Sequence, residues 1–194
     1  MKTAKICDSC KTVLRSRDPI NEFAKRIATL AFCGSDCGNE TQSASDFSPG
    51  VVESDEELAS CVCHPNHTDK DGEVVYKASD FAFTHGMSVT RLSHKDGGLE
   101  SVISFCRDTF CKPGRDYRGT YVFKASAPRG VFWRDGTRAF MVLDTAGKSL
   151  IAHADVIATR YHGDLARLAS TEKLDRLKAQ ISFFRKMKPV DESA

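Results

Sequence analysis

Cys7-Asp-Ser-Cys10 and Cys33-Gly-Ser-Asp-Cys37 are the two stretches around which the chain is organised, and twenty-two residues separate them. A C-x2-C pair followed by a C-x3-C pair is typical of a tetrahedral zinc site, because each pair turns the backbone so that both sulfurs face one ion. A segment of about 40 residues buries too little apolar surface to fold alone, so metal binding would supply folding free energy. We therefore predict a structural Zn²⁺ ion bound by Cys7, Cys10, Cys33 and Cys37.

The order of features around these cysteines resembles the small treble-clef zinc fingers of the MYM and TRASH type. A cysteine knuckle comes first, a hairpin arm can follow it, and a helix would begin at the second pair, which Phe32 precedes. The resemblance covers residues 5–42. It implies zinc binding, and in some of these families protein contacts or metal handling, but it does not imply nucleic-acid binding.

The chain beyond this module reads as a separate folded domain. Of the 194 residues of the whole chain, 41% are hydrophobic and 28% are charged, which is typical of a soluble globular protein. Residues 43–54 are polar and contain a Pro49-Gly50 turn, so they predict a linker. The predicted organisation is a zinc module over residues 1–42, this linker, and a domain over residues 55–194.

Localisation follows from what the sequence lacks. No stretch approaches the roughly 18 apolar residues of a membrane span, and no apolar run typical of a signal peptide follows Met1. We therefore expect a cytoplasmic protein without a membrane partner. In a reducing compartment, the eight cysteines favour metal ligation over disulfides.

Hydrophobic periodicity predicts an α+β domain, mainly antiparallel, because helices and strands mix without a regular βαβ alternation. The Ser54-Asp-Glu-Glu57 capping box predicts a helix to about Val62. Another helix is predicted over 99–106, and a C-terminal amphipathic helix from about Thr171 towards Pro189. The C-terminal helix should dock on its own domain through Leu174, Leu177, Ile181 and Phe184. Strands are predicted over 73–76, 87–92, 117–126 and 149–157, with a hairpin over 131–144 around Asp135-Gly136.

Residues 60–160 also resemble an uncharacterised bacterial family. The shared pattern is a His-Pro turn, an Asp-Gly turn, a Ser-x-x-Phe-like element, Ser88-Val-x-Arg91, and later His153-Ala154. This resemblance brings no activity with it.

Cys61, Cys63, His64 and His67 crowd together and could bind a second metal. Against this, C-x-C is poor spacing for a zinc knuckle, and no matching downstream pair exists. Cys61 and Cys63 are therefore predicted as core residues, and a second metal site remains open.

Scattered polar residues offer an enzymatic function. Histidine serves as a general acid or base near neutral pH, and arginine grips phosphate or carboxylate with two nitrogens. The wider set is His67, Ser79, Ser88, Arg91, His94 and His153, and the candidate catalytic residues are His67, Ser88, Arg91 and His153. Ser88 and Arg91 are three residues apart on one predicted strand and should face opposite sides.

A basic, aromatic-rich run offers nucleic-acid binding instead. Its candidates are Arg115, Arg118, Lys124, Arg129 and Trp133, because cations neutralise phosphates and rings stack on bases. We expect a zinc-stabilised accessory or interaction protein with a protein or nucleic-acid partner. The alternative is a small hydrolase or transferase. A deep pocket lined by His67, Arg91 and His153 would favour the enzyme, and a flat positive face over residues 115–138 would favour binding.

Overall fold

A computed structural model of the protein describes residues 40, 47–111 and 114–190. The predicted zinc ligands Cys7, Cys10, Cys33 and Cys37, and the predicted treble clef around them, lie outside the described residues. The account that follows concerns the domain that comes after them.

One antiparallel sheet of six strands forms the centre of the domain, in the order β4-β5-β2-β1-β3-β6. The strands are β1 (Glu57–His64), β2 (Met87–Arg91), β3 (Asp116–Lys124), β4 (Phe140–Asp144), β5 (His153–Ala158) and β6 (Lys188–Pro189). The predicted antiparallel α+β class is confirmed for this part of the chain. Strands 87–92 and 117–126 were predicted within two residues of their bounds, because both alternate clearly between apolar and polar side chains.

In the described residues, three α-helices accompany the sheet. They are α1 (Gly98–Phe105), which continues as a π-helix over Cys106–Phe110, then α2 (Ser126–Arg129) and α3 (Ser170–Phe184). Helices of the 3-10 type lie at Tyr76–Phe83, Leu92–His94 and Leu165–Arg167. The predicted C-terminal helix is confirmed as α3. No helix among the residues described here has the length and apolarity that crossing a membrane requires.

The predicted helix from Ser54 to Val62 is wrong, because this segment forms β1. The carboxylate of Glu56 accepts the Glu53 amide, as in a capping box, but the turn it closes is not continued. From Glu57 to His64 every residue pairs with β3, and Leu58 and Ala59 pair with β2 as well. Two neighbouring strands thus override the local helix signal, as tertiary context often does.

Two other strand predictions need correction. Glu73–Tyr76 is not a strand: Val74 makes a single bridge to Thr68, and a 3-10 helix begins at Tyr76. The strand predicted over 149–157 begins only at His153. In the predicted 131–144 hairpin, the turn forms and Phe132 bridges Arg138, but Phe140–Asp144 pairs with β5 instead.

One face of the sheet carries the main hydrophobic core. Alternate residues of β2, β5 and β4 point into it, and α3 covers it. Phe183 of α3 is fully buried, with its ring centroid 5.1 Å from that of Phe123 and 5.2 Å from that of Phe140. The buried members include Leu58, Met87, Val89, Phe123, Phe140, Val142, Ala154, Val156, Ala158 and Phe183. We call this side the closed face.

Helix α3 docks on its own domain as predicted, but through a different stripe. Its buried residues are Arg176, Ala179, Gln180 and Phe183, whereas Leu174 is exposed. Arg176 donates to Asp80 at 2.6 Å and lies over the Phe83 ring, and Gln180 donates to the same Asp80 oxygen. The buried stripe of α3 includes two polar residues, so it lies on a different side of the helix from the stripe that apolar spacing alone indicated.

Arg91 fastens the chain before β1 to the closed face. Its guanidinium binds both Glu56 carboxylate oxygens at 2.7 and 2.9 Å and donates to the carbonyls of Gly50 and Val51. Burial works to raise the pKa of Glu56, but hydrogen bonds from Arg91 and Ser93 hold it below its usual value. Val52 is buried in the core cluster. The described part of the predicted 43–54 linker therefore packs against the domain, while the boundary itself stays a prediction.

Two cysteine pairs join β1 to the helix that crosses it. Cys61 forms a disulfide with Cys106, and the Cys63 and Cys111 sulfurs lie 2.7 Å apart. Cys63 is buried as predicted, but the general preference for metal ligation over disulfides is wrong for Cys61. Within residues 47–111 and 114–190, no group of three or more His, Cys, Asp or Glu side chains is arranged to hold a metal.

Candidate active site

The second face of the sheet is polar where β2 lies beside β5. Strand alternation that sends Met87 and Val89 into the core turns Ser88 and Thr90 to the other side. On β5, Asp155 pairs with Ser88 and His153 pairs with Thr90. Paired residues share a face, so this register brings two hydroxyls, a carboxylate and an imidazole together. We call this side the open face.

A cavity of about 770 Å³ lies over the open face. Its floor is formed by β1, β2 and β5, and its walls come from the 3-10 helix at Tyr76–Phe83, from α1 with the π-helix, and from residues 148–152. This volume falls in the range of small-molecule sites, which is roughly 300–1,000 Å³. The side chains discussed below that line it are His67, His85, Ser88, His94, Lys95, Asp96, Phe105, Phe110, Arg115, Lys148, Leu150, Ile151 and His153.

His153 is held by a relay through Thr145 to Asp155. The Thr145 hydroxyl donates to Asp155 Oδ2 at 2.6 Å, so its one proton is used there. It must therefore accept from His153 Nδ1, which lies 2.9 Å away. This assigns the proton of neutral His153 to Nδ1 and leaves Nε2 with a free lone pair. A second hydroxyl, Ser88, donates to the other oxygen of Asp155 at 3.3 Å.

Gly86 leaves the space that the Asp155 carboxylate occupies. A Cβ atom at residue 86 would lie 3.1–3.3 Å from three side-chain atoms of Asp155. The backbone there also has a φ of 95°, in the left-handed region that glycine tolerates best. The chain can therefore turn into β2 against the carboxylate only with glycine at this position.

His67 reaches the cavity from the turn after β1 and has the opposite tautomer. Its Nδ1 accepts the Cys63 backbone N–H at 2.9 Å, so the proton of the neutral ring is on Nε2. Burial, followed by the charge of Arg115, lowers the pKa of His67 to about 4. Its side chain is buried, and Nε2 has no hydrogen-bond partner among the described residues. A buried N–H donor without a partner favours binding of a ligand acceptor.

The rest of the lining combines positive charge with apolar surface. Arg115, Lys148 and Lys95 are cationic, whereas Asp96 is the one acid among the described side chains that line the cavity. Four large apolar side chains line it and remain largely exposed: Phe105, Phe110, Leu150 and Ile151. This combination suits a ligand with an anionic group and an apolar or aromatic part.

The structure separates the predicted catalytic residues. His67, Ser88 and His153 all line the cavity, and so does His94. Arg91 points to the closed face, where it is buried and paired with Glu56, so its predicted role at the same site is wrong. Ser88 and Arg91 do face opposite sides. Ser79 is buried and donates to the Tyr76 carbonyl.

The five predicted nucleic-acid residues do not form one face. Trp133 is buried and donates from Nε1 to Thr159, so its ring is not open to a base. Arg129 is paired with Glu40 and donates to the Val52 carbonyl. Arg115 lines the cavity, while Arg118 is half-exposed beside Asp116 and Lys124 is exposed on β3.

Sequence reasoning missed Gly86, Thr145 and Asp155. Thr145 and Asp155 are buried, and each resembles an ordinary polar residue at the end or middle of a strand. The β2–β5 register is what makes them a site, and that register joins segments more than sixty residues apart. The available signal was His153-Ala-Asp155, which alternates polar residues on one side of a strand.

Comparison with family models, with curated proteins and with solved structures gave no match to this chain. The two resemblances drawn from short motifs therefore stay predictions, and the function has to be argued from the site itself.

Proposed function

We propose that the protein is a small hydrolase or transferase that acts on an anionic substrate with an apolar part. One observation carries this proposal: two histidines line a single cavity, and their Nδ1 hydrogen bonds assign them opposite tautomers. A free imidazole lone pair and a fixed N–H donor are the two complementary groups that acyl or phosphoryl transfer requires. The cavity favours this function over the partner-binding alternative, and the arginine that lines it is Arg115 rather than Arg91.

His153 acts as the general base in this proposal. Its Nε2 lone pair removes a proton from water or from an acceptor hydroxyl, and the oxygen attacks an acyl carbon or a phosphorus. The proton on Nε2 then passes to the leaving oxygen, which returns His153 to its neutral form. Thr145 and Asp155 act through His153: they hold its tautomer and stabilise the imidazolium that forms.

His67 supplies the hydrogen bond that the transition state needs. The Cys63 backbone N–H holds the ring through Nδ1, so the buried, unpartnered Nε2–H needs no reorganisation to donate to an oxygen that gains negative charge. Because the His67 ring is neutral, its Nε2–H can donate a hydrogen bond without releasing the proton to solvent. Arg115 and Lys148 attract and orient the anionic group, and the apolar walls receive the remainder of the substrate.

A screen of chromogenic substrates tests the proposal. The 4-nitrophenyl esters of phosphoric, sulfuric and dicarboxylic acids each join an anionic group to an aromatic ring, as the cavity demands. On any substrate that turns over, His153→Ala should lower kcat by about 10²–10⁴-fold. His67→Gln should lower it by about 10²-fold.

His64→Gln is the matched control, because His64 bonds to Thr68 and does not line the cavity. Its kcat should stay within about threefold of the wild-type value if each variant folds. Turnover that survives His153→Ala would refute the proposal. Nucleic-acid binding that falls steeply with salt, and that Arg118 and Lys124 carry, would restore the partner-binding function.

The zinc module is a separate proposal, supported by the spacing of Cys7, Cys10, Cys33 and Cys37. Four thiolates would complete the tetrahedron and leave no position for water, so the Zn²⁺ ion would be structural. Metal analysis of the purified protein should find one zinc ion per chain, and Cys33→Ser should release it. Absence of zinc, together with melting that a chelator does not change, would refute this proposal.

A further inference from the structure

Cysteines from two elements form two neighbouring pairs beside the cavity. Cys61 and Cys63 are two residues apart on β1, so strand alternation points both sulfurs to the same side. Cys106 and Cys111 are the first residue of the π-helix and the residue after it, and the Cys111 amide donates to the Cys106 carbonyl at 3.0 Å. This single wide turn aligns Cys106 with Cys61 and Cys111 with Cys63.

The two pairs differ in their state. Cys61 and Cys106 are bonded, whereas Cys63 and Cys111 are free, with their sulfurs 2.7 Å apart. A covalent S–S bond of about 2.05 Å would therefore need a movement of less than about 1 Å. We propose that Cys63 and Cys111 form a reversible second disulfide, made by thiol–disulfide exchange between Cys111 and a low-molecular-weight disulfide such as oxidised glutathione.

The burial of the two thiols sets the order of the steps. Cys63 is buried, and burial followed by the neighbouring Cys111 thiol raises the pKa of Cys63 to about 12. Cys111 is half-buried, and so accessible to a small reagent. An accessible thiol that reacts first, backed by a buried thiol that resolves the adduct, is the arrangement of redox-responsive pairs.

The exchange balances in two steps. The Cys111 thiolate attacks one sulfur of the reagent and breaks its S–S bond, which gives a mixed disulfide and one glutathione thiolate. The Cys63 sulfur then attacks the Cys111 Sγ, forms the protein disulfide and releases the second glutathione. The two protons lost by the cysteines end on the two glutathione molecules, so the protein is oxidised by two electrons and the reagent is reduced by two.

The pair is connected to the cavity on both sides. The Cys63 amide holds His67 Nδ1, and Phe110, which precedes Cys111, lines the cavity wall. Oxidation would fix this wall to β1 at a second point. The geometry of the cysteine pair is independent of the proposed enzymatic activity.

Peptide mapping of the full-length protein tests the proposal. The protein is equilibrated at several ratios of reduced to oxidised glutathione, trapped with N-ethylmaleimide in denaturant, and cleaved after Lys, Arg and Glu. Cleavage after Glu57 and Arg107 separates Cys37 from Cys61 and Cys106 from Cys111. Cys61 and Cys63 remain on one peptide, so fragmentation of that peptide in the mass spectrometer assigns the label and the link to one of them. In oxidising buffer, labelling of Cys63 and Cys111 should be lost together, and reduced glutathione should restore it.

Two single variants distinguish the steps. Cys63→Ser should stop at the mixed disulfide, so that glutathione accumulates on Cys111. Cys111→Ser should carry no glutathione at residues 63 and 111, and Cys63 should remain unlabelled until the protein is denatured. Failure to find the Cys63–Cys111 link at any ratio in the wild type would overturn the proposal. The proposal would also be overturned if Cys63 or Cys111 formed disulfides with Cys61 or Cys106 in the same yield as with each other.

Discussion

The two faces of the sheet are built by the same strands, whose alternate residues are buried in the core on one face and line the cavity on the other. On β2, Met87 and Val89 enter the core, while Ser88 turns to the cavity. On β5, Ala154 is buried in the core, whereas His153 faces the cavity. The closed face takes in large polar groups: Arg91 donates to Glu56 and to two backbone carbonyls, and Arg176 and Gln180 both donate to Asp80. On the open face, His67 Nε2 is a buried donor without a partner in the described residues. We therefore expect stability to depend mainly on the closed face, and the proposed chemistry to depend on the open face.

The largest expected effect lies on the closed face, at Phe183. Phe183→Ala removes a fully buried ring that packs on Phe123 and Phe140, and should lower the free energy of unfolding by about 3–5 kcal/mol. Leu174→Ala on the same helix is the control, because Leu174 is exposed and should cost less than about 0.5 kcal/mol. Urea denaturation measures both. Equal losses would mean that α3 does not dock as described.

Arg91 and Ser88 compare the two faces of a single strand. Arg91→Ala leaves the Glu56 carboxylate buried and unpaired, and should cost about 3–5 kcal/mol of unfolding free energy. Ser88→Ala removes one long hydrogen bond and should cost about 1 kcal/mol or less. Only Ser88→Ala should change turnover per folded molecule. Loss of turnover in Arg91→Ala protein that calorimetry shows to be folded would contradict the assignment of Arg91 to the closed face alone.

Acid should destabilise the fold through His67 and His162. Burial is the leading cause that lowers the pKa of each to about 4, from 6.5 in the unfolded chain. The unfolded state therefore binds more protons between about pH 6.5 and 4, and stability falls as pH decreases through that window. Each histidine corresponds to about 3 kcal/mol, which is fully present above pH 6.5.

His67→Gln separates the two contributions. Gln does not titrate, so the variant should lose stability over this window with about half of the wild-type dependence on pH. His85→Gln, at an exposed residue of the same wall, should leave the wild-type profile unchanged. Unfolding free energies at pH values from about 4 to 7 provide the comparison. An unaltered profile in His67→Gln would show that His67 is not held neutral by the fold.

The smallest effect distinguishes backbone strain from contact at Gly86. Gly86→Ala and Gly136→Ala both place a side chain at positive φ, 95° and 81° respectively. Each should cost about 1–2 kcal/mol of strain. A Cβ at residue 136 meets no atom within 4 Å, whereas one at residue 86 presses on Asp155. Only Gly86→Ala should therefore also lower turnover, and equal turnover in the two variants would deny Asp155 its positioning role.

Sequence patterns predicted the parts of the fold that depend on local periodicity. Strands β2 and β3, helix α1 and the C-terminal helix follow from such patterns. Two of the failures share one cause, because β1 and the buried stripe of α3 depend on partners that are distant in the chain. The capping box at Ser54 describes a helix that two neighbouring strands prevent, and Arg176 enters the core because Asp80 receives it.

The candidate site was predicted in the same uneven way. His67, Ser88 and His153 were named because histidines and a serine in a short motif indicate acid–base chemistry. The register of β2 with β5 brings Ser88 and His153 to one face and leaves Arg91 on the other, and His67 reaches the same cavity from the turn after β1. Thr145 and Asp155 carried no local signal, since their role exists only through the hydrogen bonds that join them to His153.

The opposite tautomers of His67 and His153 are the central claim, and a proton–nitrogen correlation spectrum of the histidine side chains measures them directly. Above neutral pH, His67 should carry its proton on Nε2 and His153 should carry its proton on Nδ1. His67 should keep that state down to about pH 5, since its pKa is about 4. Asp155→Asn should leave the His67 signals in place and change the tautomer of His153 alone. Two histidines in the same tautomer, or a His67 ring that is protonated near pH 6.5, would contradict the account.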